Sequence, residues 1–435
     1  MADVRPLRGI RYNDDVVSDL AQVVTPPYDV ISKESQAKYY ARNPYNVIRL
    51  EFGAEQVGDN TLNNRYTRAA VALAEWRLQA VLCQDALPGY YLYQQLFSQN
   101  GQQYTRTSLL ARVRLEPWSS KIVLPHEHTM SKPKDDRLKL LRACATNLSP
   151  IMSLYDDPQG RIRRLLGAYA DNAEVQITDE AGEGHRLQHI TDSAQIELIQ
   201  NFFAERQLYI ADGHHRYETA LNYREEIREQ RRQLHVDDAV QFVLMALVDV
   251  DDPGLLVLPT HRLLSGLPTT TLSELSTEHL ARYFTVSELG TGATGDMLLA
   301  QLAQAGTTEP ALVVSTGEQN WLLRLNEQGR GRMAESGYSE AWNELDVAVA
   351  HTLILEALLG IQTEDVTAGT YLRYTRDAQQ AVQAVQTGEA QAALLLNVTR
   401  VRQIRDVSQA DDRMPQKSTY FYPKLITGLV MNPLW

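Results

Sequence analysis

The run Asp212-Gly213-His214-His215-Arg216 has the residue types of an anion-binding turn. It follows a short apolar run and precedes a stretch with helical spacing, which predicts a strand, a tight turn and the start of a helix. The first backbone N–H groups of a helix have no acceptor within the helix, and the dipole makes that end partially positive. Gly213 lacks a Cβ and would let a ligand oxygen approach, while the two histidines and Arg216 add donors. We therefore expect the turn to bind phosphate or carboxylate; the alternative is that Asp212 only caps the helix.

His126 and Glu127 form the second candidate site, because they follow a predicted short strand at residues 121–124 and precede a predicted helix start. Ligands in α/β folds commonly bind at the carboxyl ends of strands. A carboxylate within hydrogen-bond reach of a hydroxyl can accept its proton while the oxygen attacks a phosphoryl group. Glu127 is therefore a candidate general base. Glu127 or Asp212 could also contact Mg²⁺ that arrives with a nucleotide, since Mg²⁺ needs only one or two protein carboxylates.

Further polar residues are candidates for contacting a substrate: Arg49, Glu51, His261, Arg262, Lys417, Ser418 and Lys424. The last three belong to residues 414–424, whose lysines, hydroxyls and aromatics follow no regular period and predict a loop that closes over a site. His261 and Arg262 follow the end of a predicted strand. Arg49 and Glu51 alternate with apolar residues along a predicted extended run. Ordinary structural roles are the alternative for all of them.

Three basic residues that follow the Glu127 loop could neutralise a nucleotide phosphate, with an exposed surface position as the alternative: Lys132, Lys134 and Arg137. Four histidines in and beside the two candidate sites could instead bind a divalent metal such as zinc, together with Glu127 or Asp212: His126, His128, His214 and His215. Their spacing matches no strong zinc motif such as HExxH. The sequence therefore predicts no dedicated metal site.

The run at residues 212–216 is similar to the DGHHR phosphate-binding motif of the ParB/sulfiredoxin-like superfamily, which includes free serine kinases. In the kinase branch a His-Glu pair upstream of this motif carries the acid that deprotonates the substrate hydroxyl. Glu127 matches that acid by motif and by order along the chain, although about 85 residues separate it from Asp212, more than in the minimal kinases. The resemblance implies ATP or ADP with Mg²⁺ as cofactor.

The whole chain also resembles an uncharacterised bacterial and archaeal family of the same superfamily, domain-of-unknown-function family 1015. The blocks that carry this likeness extend from one end of the chain to the other: residues 8–12, 25–31, 43–51, 126–127, 209–221, 259–262 and 414–424. The resemblance implies a ParB/sulfiredoxin-like core with additional segments at both ends. It implies no particular activity.

Helical and strand patterns alternate along the chain and predict an α/β fold with mixed strands. Residues 90–97 and 107–115 are predicted strands joined by a hairpin at Asn100-Gly101, and residues 240–250 are a predicted buried central strand. The acidic, glycine-containing residues 179–184 predict a turn. We divide the chain into an N-terminal segment (1–115), a core that carries both motifs (116–265) and a C-terminal α/β segment (266–435).

The composition is that of an ordinary globular protein: 435 residues, 44% hydrophobic and 22% charged. A net charge of −12 argues against non-specific nucleic-acid binding, which depends on releasing counterions from phosphates. Two cysteines without CxxC spacing favour a reducing cytoplasm as the location. The sequence contains no apolar run of 18 residues that would predict a membrane-spanning helix. The expected partner is a nucleotide or another small phosphorylated molecule.

These features favour a nucleotide-dependent kinase that phosphorylates the hydroxyl of a small serine-like metabolite. A phosphatase acting on a phosphorylated amino acid or sugar could use the same anion site with water as the nucleophile. A non-enzymatic, nucleotide-responsive regulator of the ParB type is the third reading.

Overall fold

The computed structural model describes residues 1–231 and 233–435. The chain divides into two compact units. The first contains Met1–Pro125, Thr129–Leu256 and Pro423–Trp435, and the second contains His126–His128 and Val257–Tyr422. The predicted segments 1–115, 116–265 and 266–435 do not coincide with these units, because strands from the first two segments hydrogen-bond in one sheet.

Nine strands of the described chain form the main sheet of the first unit. Eight of them follow one another in the spatial order Val123–Leu124, Leu208–Asp212, Ile151–Tyr155, Phe242–Asp249, Gln102–Arg114, Tyr90–Gln99, Gly184–Ile190 and Val175–Thr178, and Val4–Arg5 pairs with Gln102–Arg114. The strand before the Asp212 turn runs parallel to Val123–Leu124 and antiparallel to Ile151–Tyr155. The prediction of an α/β fold with mixed strands is confirmed.

The predicted hairpin and the predicted central strand are both present in this sheet. Asn100 and Gly101 have φ angles of 51° and 76°, the left-handed pair that a two-residue hairpin turn requires. All eight residues of Phe242–Asp249 are buried, because this strand lies between two neighbours in the middle of the sheet. Its continuous apolar sequence follows from that position.

The helices of the first unit are Lys33–Arg42, Ile48–Glu51, Arg65–Leu78, Ser131–Cys144, Arg161–Gly167, Ser193–Phe203 and His214–Arg231, with short 3-10 turns at Leu20–Gln22, Tyr28–Val30, Trp118–Ser120 and Ala239–Gln241. Two small two-stranded ladders pair Ile10–Tyr12 with Leu82–Gln84 and Asn432–Pro433 with Thr146–Asn147.

The prediction of an extended run around Arg49 and Glu51 is wrong, since Ile48–Glu51 is a helical turn. The Asn46 side chain accepts the Ile48 N–H group at 3.0 Å and so starts this turn.

The second unit contains a six-stranded sheet among its described residues, in the order Phe284–Glu288, Asn320–Leu325, Ala311–Thr316, Ala392–Leu396, His261–Leu264 and Leu372–Thr375. Its helices are Thr269–Leu272, Thr277–Leu280, Gly295–Ala305, Glu327–Ala334, Glu340–Asn343, Asp346–Val349, Ala350–Leu358, Thr363–Ala368, Ala378–Gln386 and Val401–Gln409. Phe421–Tyr422 is a further short strand of this unit, and the short strand Leu256–Val257 lies where the chain passes from the first unit to the second.

The strand predicted before His261 and Arg262 is present as Leu256–Val257, and the two residues that follow it also open the next strand, His261–Leu264. The preceding strand, Leu256–Val257, stops before Pro259, which has no N–H group to continue a ladder. No helix of the described chain combines the length and apolar character needed to cross a membrane.

Candidate functional site

The DGHHR run forms the predicted strand, turn and helix. Leu208–Asp212 is a strand, Gly213 has a φ of +97°, and the helix begins at His214. The Tyr217 N–H group donates to the Gly213 carbonyl at 3.1 Å, which places Gly213 immediately before the first helical turn. The first N–H groups of this helix therefore have no acceptor inside it.

The Asp212 carboxylate lies between two cations. Its Oδ2 accepts from Arg216 Nη2 at 2.8 Å, and its Oδ1 forms an ion pair with the Lys424 ammonium. Burial raises the pKa of Asp212, but Lys424, Arg216 and His214 outweigh burial and hold that pKa well below its usual value. Two fixed cations against one carboxylate leave an excess positive charge at a helix N-terminus, which favours an anionic ligand.

The Arg216 guanidinium is held by three acceptors. Its Nη1 donates to the Pro150 carbonyl at 2.6 Å and to Ser149 Oγ at 3.2 Å, in addition to the bond with Asp212. A Cβ placed on Gly213 would lie only 2.9 Å from Arg216 Nη2. On that side of the turn the missing Cβ makes room for the arginine itself, and not for a ligand as the sequence suggested.

Behind Arg216 a buried polar network continues to Glu51. Ser149 Oγ donates to Glu51 Oε1 at 3.0 Å, and Arg137 Nη1 donates to the Glu51 carbonyl at 2.9 Å. Glu51 is 3% exposed, and burial raises its pKa although Arg137 and Arg216 lower it. A cavity of about 50 Å³ borders these side chains. Glu51 therefore supports the Asp212 turn from the protein interior.

Arg49, the other candidate in this region, is bound to backbone. Its guanidinium donates to the carbonyls of Asn43 and Tyr40 at 2.9 and 2.8 Å and lies over the Tyr40 ring. These contacts stabilise the local turn.

His215 attaches the segment at Met130, which precedes the helix Ser131–Cys144, to this helix. Its Nε2 accepts the Met130 N–H group at 2.9 Å, and Glu218, one turn further on, pairs with Lys134 at 3.2 Å. His214 is 4% exposed. Among the predicted phosphate-neutralising residues, Arg137 is buried and Lys134 is in an ion pair, whereas Lys132 is exposed.

Glu127 and His126 belong to a second cluster, in the second unit. Glu127 Oε1 accepts the Lys417 N–H group at 2.8 Å, and His126 Nε2 lies 3.0 Å from Thr419 Oγ1. The His126 carbonyl accepts the Met414 N–H group at 2.7 Å. Residues 414–419 are thus held directly against the His-Glu pair.

Arg262, His261 and Ser418 also belong to this second unit. Arg262 Nη2 donates to the Lys417 carbonyl at 3.4 Å, and burial lowers the pKa of Arg262 to about 10. His261 Nδ1 accepts the Leu396 N–H group at 3.2 Å, and burial lowers its pKa to about 4. The Ser418 hydroxyl donates to the Pro415 carbonyl. Arg262 and Ser418 thus hold the turn at Lys417, whose φ is +59°, whereas His261 bonds to the strand Ala392–Leu396.

Of the candidate residues, the structure brings together Glu51, Arg216, Asp212 and Lys424 in the first unit. Sequence reasoning missed Ser149, which bridges Glu51 and Arg216. It also missed Arg106, a buried arginine that donates to the Pro423 carbonyl at 2.6 Å beside Lys424. A lone serine before a strand and a lone arginine within one gave no signal for these roles.

The fold and this turn define an α/β protein with a positively charged helix N-terminus beside a strand end. The chain belongs to the family described as "Protein of unknown function (DUF1015)", whose profile matches residues 4–348. No curated protein matches the chain.

Several solved structures are similar to the chain. A conserved hypothetical protein from Pyrococcus furiosus is 11% identical, with a TM-score of 0.37, over 75% of this chain and 97% of that chain. A mutant free serine kinase in complex with AMP is 10% identical, with a TM-score of 0.38, over 75% of this chain and 94% of that one. A mutant in complex with ADP has the same identity, TM-score and coverage.

Proposed function

We propose that the Asp212 turn binds the phosphates of a nucleotide and that the protein transfers a phosphoryl group to the hydroxyl of a small serine-like metabolite. The observation that carries the proposal is the convergence of Lys424 and Arg216 on Asp212 at the start of the helix His214–Arg231. Phosphoryl transfer depends mainly on positioning and on stabilising negative charge, and a fixed excess of positive charge beside helical N–H groups supplies both.

Glu127 is the proposed general base. The strand that precedes it, Val123–Leu124, pairs in parallel with the strand that precedes the Asp212 turn. The carboxylate is oriented by the Lys417 N–H group, which contacts Oε1. A carboxylate within hydrogen-bond reach of a substrate hydroxyl can accept its proton. His126 is proposed to position Glu127 through its contact with Thr419.

Magnesium is proposed to arrive with the nucleotide. Both oxygens of Asp212 already accept from cations, so direct coordination by Asp212 would displace Lys424 or Arg216. Phosphate oxygens and water would supply most ligands, as is usual for Mg²⁺. We further propose that the sheet containing Leu208–Asp212 includes the ParB/sulfiredoxin-like core.

The proposal is tested with the full chain by calorimetric titration of ATP and ADP in Mg²⁺ and by a coupled assay that contains serine. The Glu127→Gln variant should lose about 10²-fold or more in turnover while its nucleotide affinity stays within about threefold, because Gln keeps the acceptor for Lys417. Glu364→Gln, an exposed position in the second unit, is the matched control.

Absence of nucleotide binding at about 1 mM would exclude the proposed function. Unchanged turnover in Glu127→Gln would remove Glu127 as the base. Release of phosphate from phosphoserine without nucleotide would instead support a phosphatase.

A further inference from the structure

The turn between the strands Val175–Thr178 and Gly184–Ile190 brings together three side chains of metal-ligand type. One ligand atom from each of Asp179, Glu183 and His185 lies within 4.8 Å of the other two. Sequence analysis predicted only a turn here. Two hydrogen bonds hold the turn, since Asp179 Oδ1 accepts the N–H groups of Ala181 and Glu183, each at 2.9 Å. These bonds leave Asp179 Oδ2 facing the histidine.

The imidazole of His185 is an independent indication of a ligand. It is 0% exposed, and its Nε2 has no hydrogen-bond partner among the described residues although it lies 3.3 Å from Asp179 Oδ2. Its Nδ1 lies 2.9 Å from the hydroxyl of Tyr93, which is 1% exposed. When Nδ1 carries the proton, the lone pair of Nε2 points toward a carboxylate, and two acceptors at this distance repel each other unless a cation lies between them.

We propose that Asp179, Glu183 and His185 bind a first-row divalent transition ion, with Zn²⁺ as the best fit. Imidazole favours such an ion over Mg²⁺ or Ca²⁺. Two atoms 3.3 Å apart subtend about 104° at an ion about 2.1 Å from each, which is close to tetrahedral. Tyr93 supplies the outer hydrogen bond that orients a metal-bound histidine, and three protein ligands leave one position open to water.

This site is separate from the Asp212 turn, and the proposal does not depend on the kinase function. The site contains one nitrogen and two oxygen donors, and the bound ion would neutralise two carboxylates beside a buried histidine. Bound metal should therefore raise the thermal stability of the first unit.

The test uses the full, untagged chain, stripped with a chelator and then titrated with Zn²⁺ and with Co²⁺, whose visible absorption reports tetrahedral coordination. The wild type should retain one Zn²⁺ per chain after gel filtration. Glu183→Gln and Asp179→Asn should each weaken Zn²⁺ binding at least about tenfold. Asn keeps an acceptor for the two turn N–H groups, so Asp179→Asn should remain folded.

Glu180→Gln is the matched control, because Glu180 lies in the same turn but pairs with Tyr39 and Arg42 instead. Its Zn²⁺ affinity should stay within about threefold of wild type. Failure of the wild type to retain Zn²⁺, or equal affinity in Glu183→Gln and Glu180→Gln, overturns the proposal. In that case His185 and Asp179 form only a buried ion pair.

Discussion

Lys424 forms an ion pair with Asp212 although 212 residues separate them along the chain. The C-terminal residues Pro423–Trp435 belong to the first unit, and they bridge to its N-terminal part at Thr25 and Ile10. The candidate anion site is therefore complete only when the last residues of the chain have folded against the first unit.

Replacement of Lys424 with methionine should destabilise the first unit by about 1–3 kcal/mol, because a poorly exposed carboxylate loses one of two cationic partners. Urea unfolding followed by tryptophan fluorescence measures this change. The double variant with Asp212→Asn should recover part of the loss, since the carboxylate that loses Lys424 is then replaced by a neutral amide. Lys417→Met, at an exposed lysine of the same C-terminal block, should change the free energy of unfolding by less than about 0.5 kcal/mol.

Comparison of Gly213→Ala with Gly58→Ala separates the cost of backbone strain from the cost of displacing Arg216. Gly58 has a φ of +92°, close to the +97° of Gly213, but a Cβ there meets no atom within 4 Å. Gly58→Ala should cost about 1–2 kcal/mol from φ alone. Gly213→Ala should cost more and should also weaken phosphate binding, because its Cβ pushes against the guanidinium. Equal stability losses in the two variants would show that Arg216 moves aside freely.

Local sequence patterns were sufficient to predict the secondary-structure elements whose residues interact mainly with neighbours along the chain. The hairpin at Asn100-Gly101, the buried strand Phe242–Asp249 and the turn before His214 all follow from turn chemistry or apolar periodicity. The mixed sheet follows from the alternation of such elements.

Long-range partners could not be predicted in this way. Arg216 was expected to face a ligand, but three acceptors hold it, and two of them, Ser149 and Pro150, lie more than 60 residues away. Glu51 was expected on an extended run, yet the hydrogen bond from the Ile48 N–H group to the Asn46 side chain starts the helical turn Ile48–Glu51. Only packing determines which buried polar group finds which partner.

Asp252 should make the stability of the first unit depend on pH. Burial raises its pKa to about 6, although the N–H groups of Gly254 and Thr107 donate to it. Because the folded state favours the protonated carboxyl, Asp252 contributes stability that is fully present below the ordinary aspartate pKa of 3.8. This stability is lost as the pH rises through 6. Between pH 4 and 7 the wild type should therefore lose up to about 3 kcal/mol relative to Asp252→Asn.

Denaturant unfolding at several pH values measures this difference. Asp251→Asn, at the exposed neighbouring residue, should keep the wild-type pH profile. Parallel profiles for wild type and Asp252→Asn would show that the Asp252 carboxyl titrates near its ordinary pKa.

Arg216→Lys should weaken phosphate binding even though it keeps the positive charge. The planar guanidinium reaches Asp212, Ser149 and Pro150 at once, and a single ammonium cannot reproduce that fork. Asp212 would then depend mainly on Lys424 for a positively charged partner, and Ser149, which bonds to Glu51, would lose its hydrogen bond from the guanidinium. We therefore also expect the free energy of unfolding to fall by about 1–3 kcal/mol. Arg228→Lys on the same helix, in an exposed pair with Glu225, should be nearly neutral. Wild-type phosphate affinity and stability in Arg216→Lys would show that only the charge at this position matters and that the buried network does not orient the turn.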